Sequence, residues 1–320
     1  MPLKAEETAR SLGDSINTAT RSVHTKLNKL IVARLPLAIP PQAQDPSNYV
    51  SGLLHITPIY NTFESLWQDI LKAPVSKSEG SGTVSDGHSC EGYKPSSAVH
   101  HVPNGLDAPH GPVVCSRVQS LLDHLHTTDL ERTESLKQDI ASMSGWSPEL
   151  LEQQLGSAAE SPFLSAFVEH IRRAVQERPH VLLAYAWVLY MALFSGGRFI
   201  RASLSRVDLS FWYAISMVSG ARRESVMIPL QFFTFTSPND GDDIKLAFKK
   251  RLAESEMLLT REEQDDVITE AQRIFEFMIE VVGELDEICG MDDVEIKEDQ
   301  EEGIMWRMSR LLGLRTRDSQ

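Results

Sequence analysis

The stretch VLLAYAWVLYMALFSGGRFIRASL, residues 181–204, decides the fold class. Every residue from 181 to 194 is apolar, and a helix that is apolar on all sides is either buried in a core or spans a membrane. These fourteen residues fall short of the roughly 20 that cross a bilayer. The stretch is therefore predicted to be a buried core helix.

The four residues that follow the apolar run interrupt it: Ser195, Gly196, Gly197 and Arg198. Two adjacent glycines leave one helical turn without side chains, which permits a kink and lets another group approach the backbone. A flat ligand and a tight helix–helix crossing would both use such a bare turn. On this segment alone, the crossing is the more ordinary interpretation.

Composition narrows the class of protein. The 320 residues with 42% hydrophobic content can bury a full core in one large or two small domains. A net charge of −14 argues against nonspecific nucleic-acid binding, which needs clustered Lys and Arg. Three cysteines without a C-x-x-C pair indicate a reducing compartment. Because the N-terminus also shows no apolar signal region, a soluble cytoplasmic protein is expected.

The rest of the chain shows mainly helical periodicity. Apolar residues recur at steps of three and four, which predicts helices over residues 14–35, 49–71, 117–126, 130–143, 163–175, 244–259 and 262–288. Asp14 or Ser15 is expected to cap the first helix and Thr260 the last. Since no stretch shows sustained alternation of polar and apolar residues, the predicted fold class is all-α.

Two segments differ from the helical pattern. Residues 72–116 are rich in Ser, Gly and Pro and are predicted to form a disordered insertion. Its histidines and cysteines match no zinc-binding spacing, so adventitious metal binding is the simpler interpretation: His88, Cys90, His100, His101, His110 and Cys115.

The C-terminal part, residues 291–320, is predicted to be an acidic tail with a basic end. Ten carboxylates lie between residues 284 and 302, with Lys297 as the one base among them. Residues 303–317 then combine apolar side chains with four arginines. Such a segment could lie on an anionic membrane surface or dock on a partner protein, and an ordinary tail is an equal alternative.

Single polar residues on predicted helices carry little information by themselves. His24 flanks the apolar face of the first helix, where a histidine is more often a core or surface residue than a ligand. Lys245 and Lys249 are one turn apart, a spacing that usually lines a solvated face. Either interpretation changes only if an anionic or metal-containing ligand is implied elsewhere.

Four blocks in order resemble the heme oxygenase family, over about residues 10–290. Residues 19–25 (ATRSVHT) look like its proximal-histidine motif, and residues 59–64 (IYNTFE) are similar to its second-helix motif. Residues 183–197 follow its distal-helix pattern. Residues 232–235 (FFTF), with the helix over 245–257, resemble its block near the heme propionates. Residues 136–140 are a weaker fifth match.

This resemblance implies a single-domain, all-helical fold with heme between a proximal and a distal helix. His24 would be the axial iron ligand, and Lys245 and Lys249 would face the two propionates. The remaining implied site residues are Arg21 beside the propionates, Gly196 and Gly197 over the porphyrin, and Ser195 with Gly196 on the distal side. Molecular oxygen and electrons from a reductase are the implied co-reactants.

Several positions depart from the family pattern. The distal aspartate, which orders water for proton delivery, is Leu193 here, and leucine cannot form a hydrogen bond. The usual tyrosine, threonine and arginine are replaced by apolar or larger side chains, and one distal glycine by alanine: Trp187, Val188, Leu189 and Ala192. Asn28 stands where the family tends to carry a carboxylate that orients the proximal imidazole.

Three functions follow from these motifs and departures. The first is an oxidoreductase of the heme oxygenase type, which opens heme to biliverdin, iron and carbon monoxide, with water or Ser195 substituting for the lost aspartate. The alternative is a heme carrier or sensor without turnover. The third is a scaffold with a collapsed pocket, whose insertion and tail serve protein partners.

Overall fold

The computed structural model describes residues 10–74, 114–215 and 228–290, and within them the chain is helical with no strand. The predicted all-α class is confirmed. The helices are α1 Leu12–Ala19, α2 Arg21–Arg34, α3 Ser47–Lys72, α4 Ser116–Leu125, α5 Thr133–Ser144, α6 Pro148–Ala159, α7 Pro162–Glu177, α8 Pro179–Leu204, α9 Leu209–Trp212, α10 Asp242–Glu256 and α11 Arg261–Ile288.

The predicted helices are present with small shifts, except the first, which is split in two. α1 ends at Ala19 and α2 starts at Arg21, with Thr20 between them at φ −95° and ψ −1°. The predicted cap of the first helix was wrong, since Ser11 accepts from the backbone N–H of Asp14 at 3.1 Å. The capping box at Thr260 is confirmed.

The predicted disordered insertion and the C-terminal tail fall largely outside the described residues. Residues 75–113, with His88, Cys90, His100, His101 and His110, are not described, and neither are residues 291–320 with the basic segment 303–317. The predicted bounds of the insertion, residues 72–116, were too wide at both described edges. Lys72 is still in α3, and Ser116 already begins α4.

α8 is the central core helix. No side chain from residue 181 to 190 is more than 8% exposed. By length and composition α8 could cross a membrane, but 78% of its most apolar window is buried inside the protein. Core burial, as expected from residues 181–204, is therefore what the structure shows.

The second half of α8 contains two π-helical turns, Ala186–Tyr190 and Leu193–Gly197. A π-helical turn leaves backbone groups without their usual partners, and such turns are common at functional sites. The carbonyl of Leu189 accepts a hydrogen bond from the Tyr60 hydroxyl of α3 at 3.0 Å. The interruption expected at Gly196 and Gly197 is thus a widened turn in a continuous helix.

A buried carboxylate behind α8 ties three helices together. Glu64 of α3 accepts from the Tyr190 hydroxyl of α8 at 3.1 Å and from the backbone N–H of Arg132 at 2.8 Å. It also accepts from the N–H of Thr133, at the start of α5, at 3.1 Å. Burial raises the pKa of Glu64 despite these bonds. The Arg132 guanidinium, itself buried, stacks 4.4 Å from the ring centre of Phe235.

α11 is hydrogen-bonded to helices from both the N-terminal and the central part of the chain. Its Asp286 accepts from Nε of Arg34 in α2 at 2.5 Å. Its Glu270, 2% exposed, accepts from the Tyr185 hydroxyl of α8 at 2.5 Å. α2 and the first half of α8 are therefore both fastened to this one helix.

Asp139 should make stability depend on pH. Its carboxylate is fully buried and accepts from the backbone N–H groups of Gln231 and Phe232 at 2.9 and 2.8 Å. Burial raises its pKa from 3.8 to about 6. Between these values the folded chain holds a proton that the unfolded chain has lost, so stability falls as pH rises through this window. Relative to Asp139→Asn, we expect the free energy of unfolding to fall by about 2–3 kcal/mol between pH 4 and pH 7. Urea denaturation at a series of pH values measures this, and parallel curves for the two proteins would contradict it.

Candidate functional site

Beyond Tyr190, α8 presents a bare, open face. Ala192 is exposed and Gly196, four residues on, is half-buried, whereas Leu193 and Phe194 between them are buried. Among the described residues, no heavy atom lies within 4 Å of a Cβ added at Gly196. Residues four apart share a helix face, so Ala192 and Gly196 together line a surface free of bulky side chains.

The two glycines of the pair have different surroundings. A Cβ at Gly197 would lie 3.2 Å from Cδ1 of Phe233, so this glycine accommodates an aromatic ring from the segment before α10. Gly197 therefore matches the close-packing interpretation of the bare turn. Gly196 matches the open, ligand-accommodating interpretation, because its Cβ position faces open space among the described residues.

His24 lies on the exposed surface of α2, with its ring centre 5.3 Å from that of Phe275 in α11. The aromatic neighbour withdraws part of the imidazole from water, and this desolvation lowers the pKa of His24. The ring is therefore neutral at physiological pH. A neutral imidazole is the form that binds a metal ion.

Asn28 contacts the imidazole from the next turn of α2. Its Nδ2 lies 3.2 Å from Nε2 of His24. An amide nitrogen only donates, so in this arrangement Nε2 accepts and Nδ1 carries the ring proton. This differs from the expectation that the residue at position 28 accepts from the ring. A ligand at Nε2 would have to displace the Asn28 amide.

Positive charges gather where α10 meets the C-terminal part of α8. Lys245 is half-buried and Lys249 is exposed on the next turn of the same face. Partial burial, then the charges of Lys249 and Arg198, lower the pKa of Lys245. Because the charges of Lys249 and Arg198 both act on Lys245, the three cations lie in one region, which is suited to binding carboxylates.

Two arginines that the sequence did not single out hold α10 in place. Arg198 donates to the carbonyl of Asp240 at 2.7 Å and pairs with the Asp242 carboxylate at 2.9 Å. Arg201 forms a bidentate pair with the Asp240 carboxylate. The end of α8 thereby fixes the turn that leads to Lys245.

The other predicted site residues have weaker contacts. Arg21 is exposed on α2, three residues before His24, and the part of the chain that is described gives its guanidinium no partner. The Ser195 hydroxyl donates to the carbonyl of Met191 at 3.0 Å, which leaves its oxygen able to accept only. Val188, Leu189 and Leu193 are 7, 4 and 3% exposed, so these three positions offer no polar side chain.

Taken together, these groups could hold a flat molecule with carboxylates on one edge and a metal at its centre. The open face of Gly196 provides contact area, His24 provides a neutral nitrogen donor, and the lysines of α10 provide cations. The apolar surroundings would exclude water from the distal side.

Several known proteins are similar to this chain in sequence. The family model described as heme oxygenase matches residues 115–284. The heme-binding protein HMX1 of Saccharomyces cerevisiae is 24% identical over 282 residues, which cover 87% of this chain and 76% of that protein. Heme oxygenase 2 of Oryctolagus cuniculus is 25% identical over 174 residues, 54% of this chain and 48% of the rabbit protein. This chain thus aligns with about half of the rabbit protein.

Solved structures share the fold. Heme oxygenase 2 from Chlamydomonas reinhardtii, solved without heme, has a TM-score of 0.58 and 18% identity over 86% of this chain and 97% of its own. Heme oxygenase-2 from Synechocystis sp. PCC 6803, solved with heme and NO, has a TM-score of 0.56 and 12% identity over 94% and 92%. Since the family model covers more than half of the residues, this chain belongs to the heme oxygenase family.

Proposed function

We propose that this chain binds heme between α2 and the part of α8 beyond Tyr185, with His24 as the protein ligand of the iron. The observation that carries the proposal is the bare face at Gly196, where a flat ring can lie against the backbone because no atom of the described residues is within 4 Å of the Cβ position. The neutral imidazole of His24 supplies the nitrogen donor. Asn28 then gives up its contact with Nε2.

Lys245 and Lys249 bind the heme carboxylates. The two lysines share one face of α10, and Arg198 lies near them. Positive charge is therefore concentrated at one end of the proposed heme site. Two carboxylates beside these cations would relieve the repulsion that lowers the pKa of Lys245. Arg21, exposed on α2, is placed to add a further positive charge near the proximal side.

Heme is also the substrate, opened oxidatively to biliverdin, iron and carbon monoxide with oxygen and reductase-supplied electrons. Bound heme iron supplies the oxygen chemistry. The chain's own contribution is to hold the ring, keep the distal side dry through Val188, Leu189 and Leu193, and leave room beside Gly196. Since Ser195 can only accept, protons reach this side through water, and we expect slow turnover.

A second candidate is a heme carrier or sensor that retains its ligand. The observation that favours it is the burial of Leu193 at the position of the family's distal aspartate, because a dry apolar wall gives no proton path. Both candidates require heme bound through His24. They differ only in the fate of the ring.

The test is a visible spectrum of the purified chain with hemin, followed after addition of a reductant in air with catalase present. We expect a Soret band that decays slowly into biliverdin absorbance. In His24→Ala, hemin affinity should fall by at least the roughly 10–100-fold typical for loss of a partner at a metal site. His124→Ala, an exposed histidine of α4 paired with Glu254, is the matched control and should bind like the parent chain.

Each other outcome has a definite meaning. A Soret band that persists without biliverdin would replace the oxygenase proposal by the carrier or sensor. Equal affinity in His24→Ala and the parent chain would refute His24 as the ligand. A Soret band that stays identical to that of free hemin would refute heme binding itself.

A further inference from the structure

A cavity of about 280 Å³ lies between α10 and the connection from α4 to α5. The connection contributes Thr127 and Asp129 to its wall. α10 contributes two charged residues and three apolar residues that lie between them in the sequence: Asp243, Arg251, Ile244, Ala247 and Phe248. Pockets for ordinary small-molecule ligands begin at roughly 300 Å³. The volume therefore suits a molecule much smaller than heme.

The cavity lies on a different face of α10 from Lys245 and Lys249. Its lining residues at positions 244, 248 and 251 follow the steps of four and three that place side chains on one helix face. Each residue turns an α-helix by about 100°, so the two lysines point roughly a third of a turn away from that face. The cavity is thus separate from the cations proposed to bind the heme carboxylates.

Arg251 offers the cavity a cation without a partner of its own. Its side chain is half-buried, and no ion pair or hydrogen bond links its guanidinium to another described residue. Long side chains on a helix lean towards the N-terminus of that helix, so we expect the guanidinium to reach back along the cavity. A planar guanidinium binds a carboxylate through two parallel hydrogen bonds. Arg251 can therefore receive the anionic group of a ligand.

Two carboxylates lie at other points of the same wall. Asp243 accepts a hydrogen bond from the Ser237 hydroxyl at 2.7 Å, and this bond lowers the pKa of Asp243, so the group is ionised at neutral pH. Asp129 is exposed, and its backbone carbonyl accepts from the guanidinium of the buried Arg132. Within the described part of the chain, neither carboxylate pairs with Arg251. The cavity thus holds opposite charges apart.

An apolar surface separates these charges. Asp243 and Arg251 are eight positions apart, which is about 12 Å along α10 at 1.5 Å per residue. Ile244, Ala247 and Phe248 line the cavity between them, and Phe248 is only 1% exposed. A molecule whose opposite charges are separated by an apolar group matches this order better than an α-amino acid, whose two charged groups share one carbon.

We propose that this cavity is a binding site for a small zwitterion of about dipeptide size. The carboxylate of the ligand binds Arg251, its ammonium group lies between Asp129 and Asp243, and its apolar side chain packs against the wall at Phe248. The ligand bridges charges that the chain itself leaves apart. The inference is independent of heme binding, because it uses neither His24 nor the lysines on the other face of α10.

The test is a titration of the purified full chain with the dipeptide glycyl-leucine, followed by ligand-observed NMR. We expect saturable binding with a dissociation constant on the order of 1 mM, which is typical of a ligand with few atoms. Acetylation of the dipeptide's amino group, or conversion of its carboxylate to an amide, removes one charge at a time. Each blocked dipeptide should bind the parent chain about 5-fold more weakly or worse.

Substitutions then identify the residues that hold each charge. Arg251→Met should weaken glycyl-leucine about 10-fold, yet it should bind the amide as the parent chain does, because the amide has no carboxylate for Arg251. Asp243→Asn should show the same pattern with the acetylated dipeptide. Lys250→Met is the matched control and should bind like the parent chain. It removes an exposed cation on another face of α10, whose Nζ lies 3.8 Å from a carboxylate oxygen of Glu254.

Three results would each overturn the proposal. They are the absence of saturable binding of glycyl-leucine, equal affinity of the parent chain for the dipeptide and its amide, and equal affinity of Arg251→Met and the parent chain for the dipeptide. The blocked dipeptides are tested on the parent chain, so the proposal can be refuted even if a variant does not fold. No heme is added, so failure here is distinct from failure of the hemin titration.

Discussion

Replacing Glu64 with alanine should lower the free energy of unfolding by about 3–5 kcal/mol, the cost of removing one partner from a buried charged group. The carboxylate is 7% exposed and accepts from Tyr190, Arg132 and Thr133. Without it, the buried guanidinium of Arg132 loses a compensating charge, and the first turn of α5 loses its acceptor. Chemical denaturation followed by circular dichroism measures the change.

Two further variants define what the Glu64 result means. Glu64→Gln keeps the shape and one acceptor oxygen, so its loss should be intermediate. Glu169→Ala, an exposed glutamate of α7, should change stability by less than about 0.5 kcal/mol. If Glu64→Ala behaves like Glu169→Ala, the buried cluster does not stabilise the contact between α3 and α8.

Gly241→Ala should lower the free energy of unfolding by about 2–4 kcal/mol and weaken hemin binding. Gly241 has φ +84°, where a side chain is strained. An added Cβ would also lie 2.8 Å from Cε1 of Phe194 and 2.9 Å from Cδ2 of Phe235, two rings that stack at 4.3 Å. Because α10 begins at the next residue, displacement of this turn would also move Lys245. Denaturation and hemin titration of the same variant test both effects.

Gly196→Ala is the matched control, with the opposite pattern. No atom from residues 10–74, 114–215 or 228–290 lies within 4 Å of its Cβ position, and the residue is helical, so the free energy of unfolding should stay constant or rise by about 0.5–1 kcal/mol. Hemin affinity should nevertheless fall, because the methyl group occupies the bare face. Loss of stability in Gly196→Ala, with unchanged hemin affinity, would show that this face is packed rather than open.

Helical periodicity predicted most of the fold because most helices bury one continuous apolar face. α8 was evident from its unbroken apolar run, and α11 from its periodicity and the capping box at Thr260. The break between α1 and α2 was missed, since the apolar pattern continues through it. What separates them is the backbone conformation of one residue, Thr20, at φ −95° and ψ −1°, which no periodicity encodes.

The candidate site was only partly visible in the sequence. His24, Gly196, Lys245 and Lys249 were identified through the family motifs, and their joint role stays a prediction for the binding experiments. From the sequence, Trp187 was interpreted only as the replacement of the family's usual tyrosine, with loss of the tyrosine hydroxyl. Its indole N–H in fact finds an acceptor 170 residues away, and such long-range contacts leave no local signal.

The attachment of α2 and α8, the two helices on either side of the proposed heme site, to α11 limits how these helices can move. Arg34 of α2 and Tyr185 of α8 are hydrogen-bonded to Asp286 and Glu270 of α11. α11 therefore fixes the distance between α2 and α8 at these two points. α2 and α8 therefore cannot move apart as rigid bodies at these points. Any change in the spacing of α2 and α8 must therefore arise in the stretch of α8 beyond Tyr185, which no hydrogen bond described above ties to α11 and which contains the two π-helical turns.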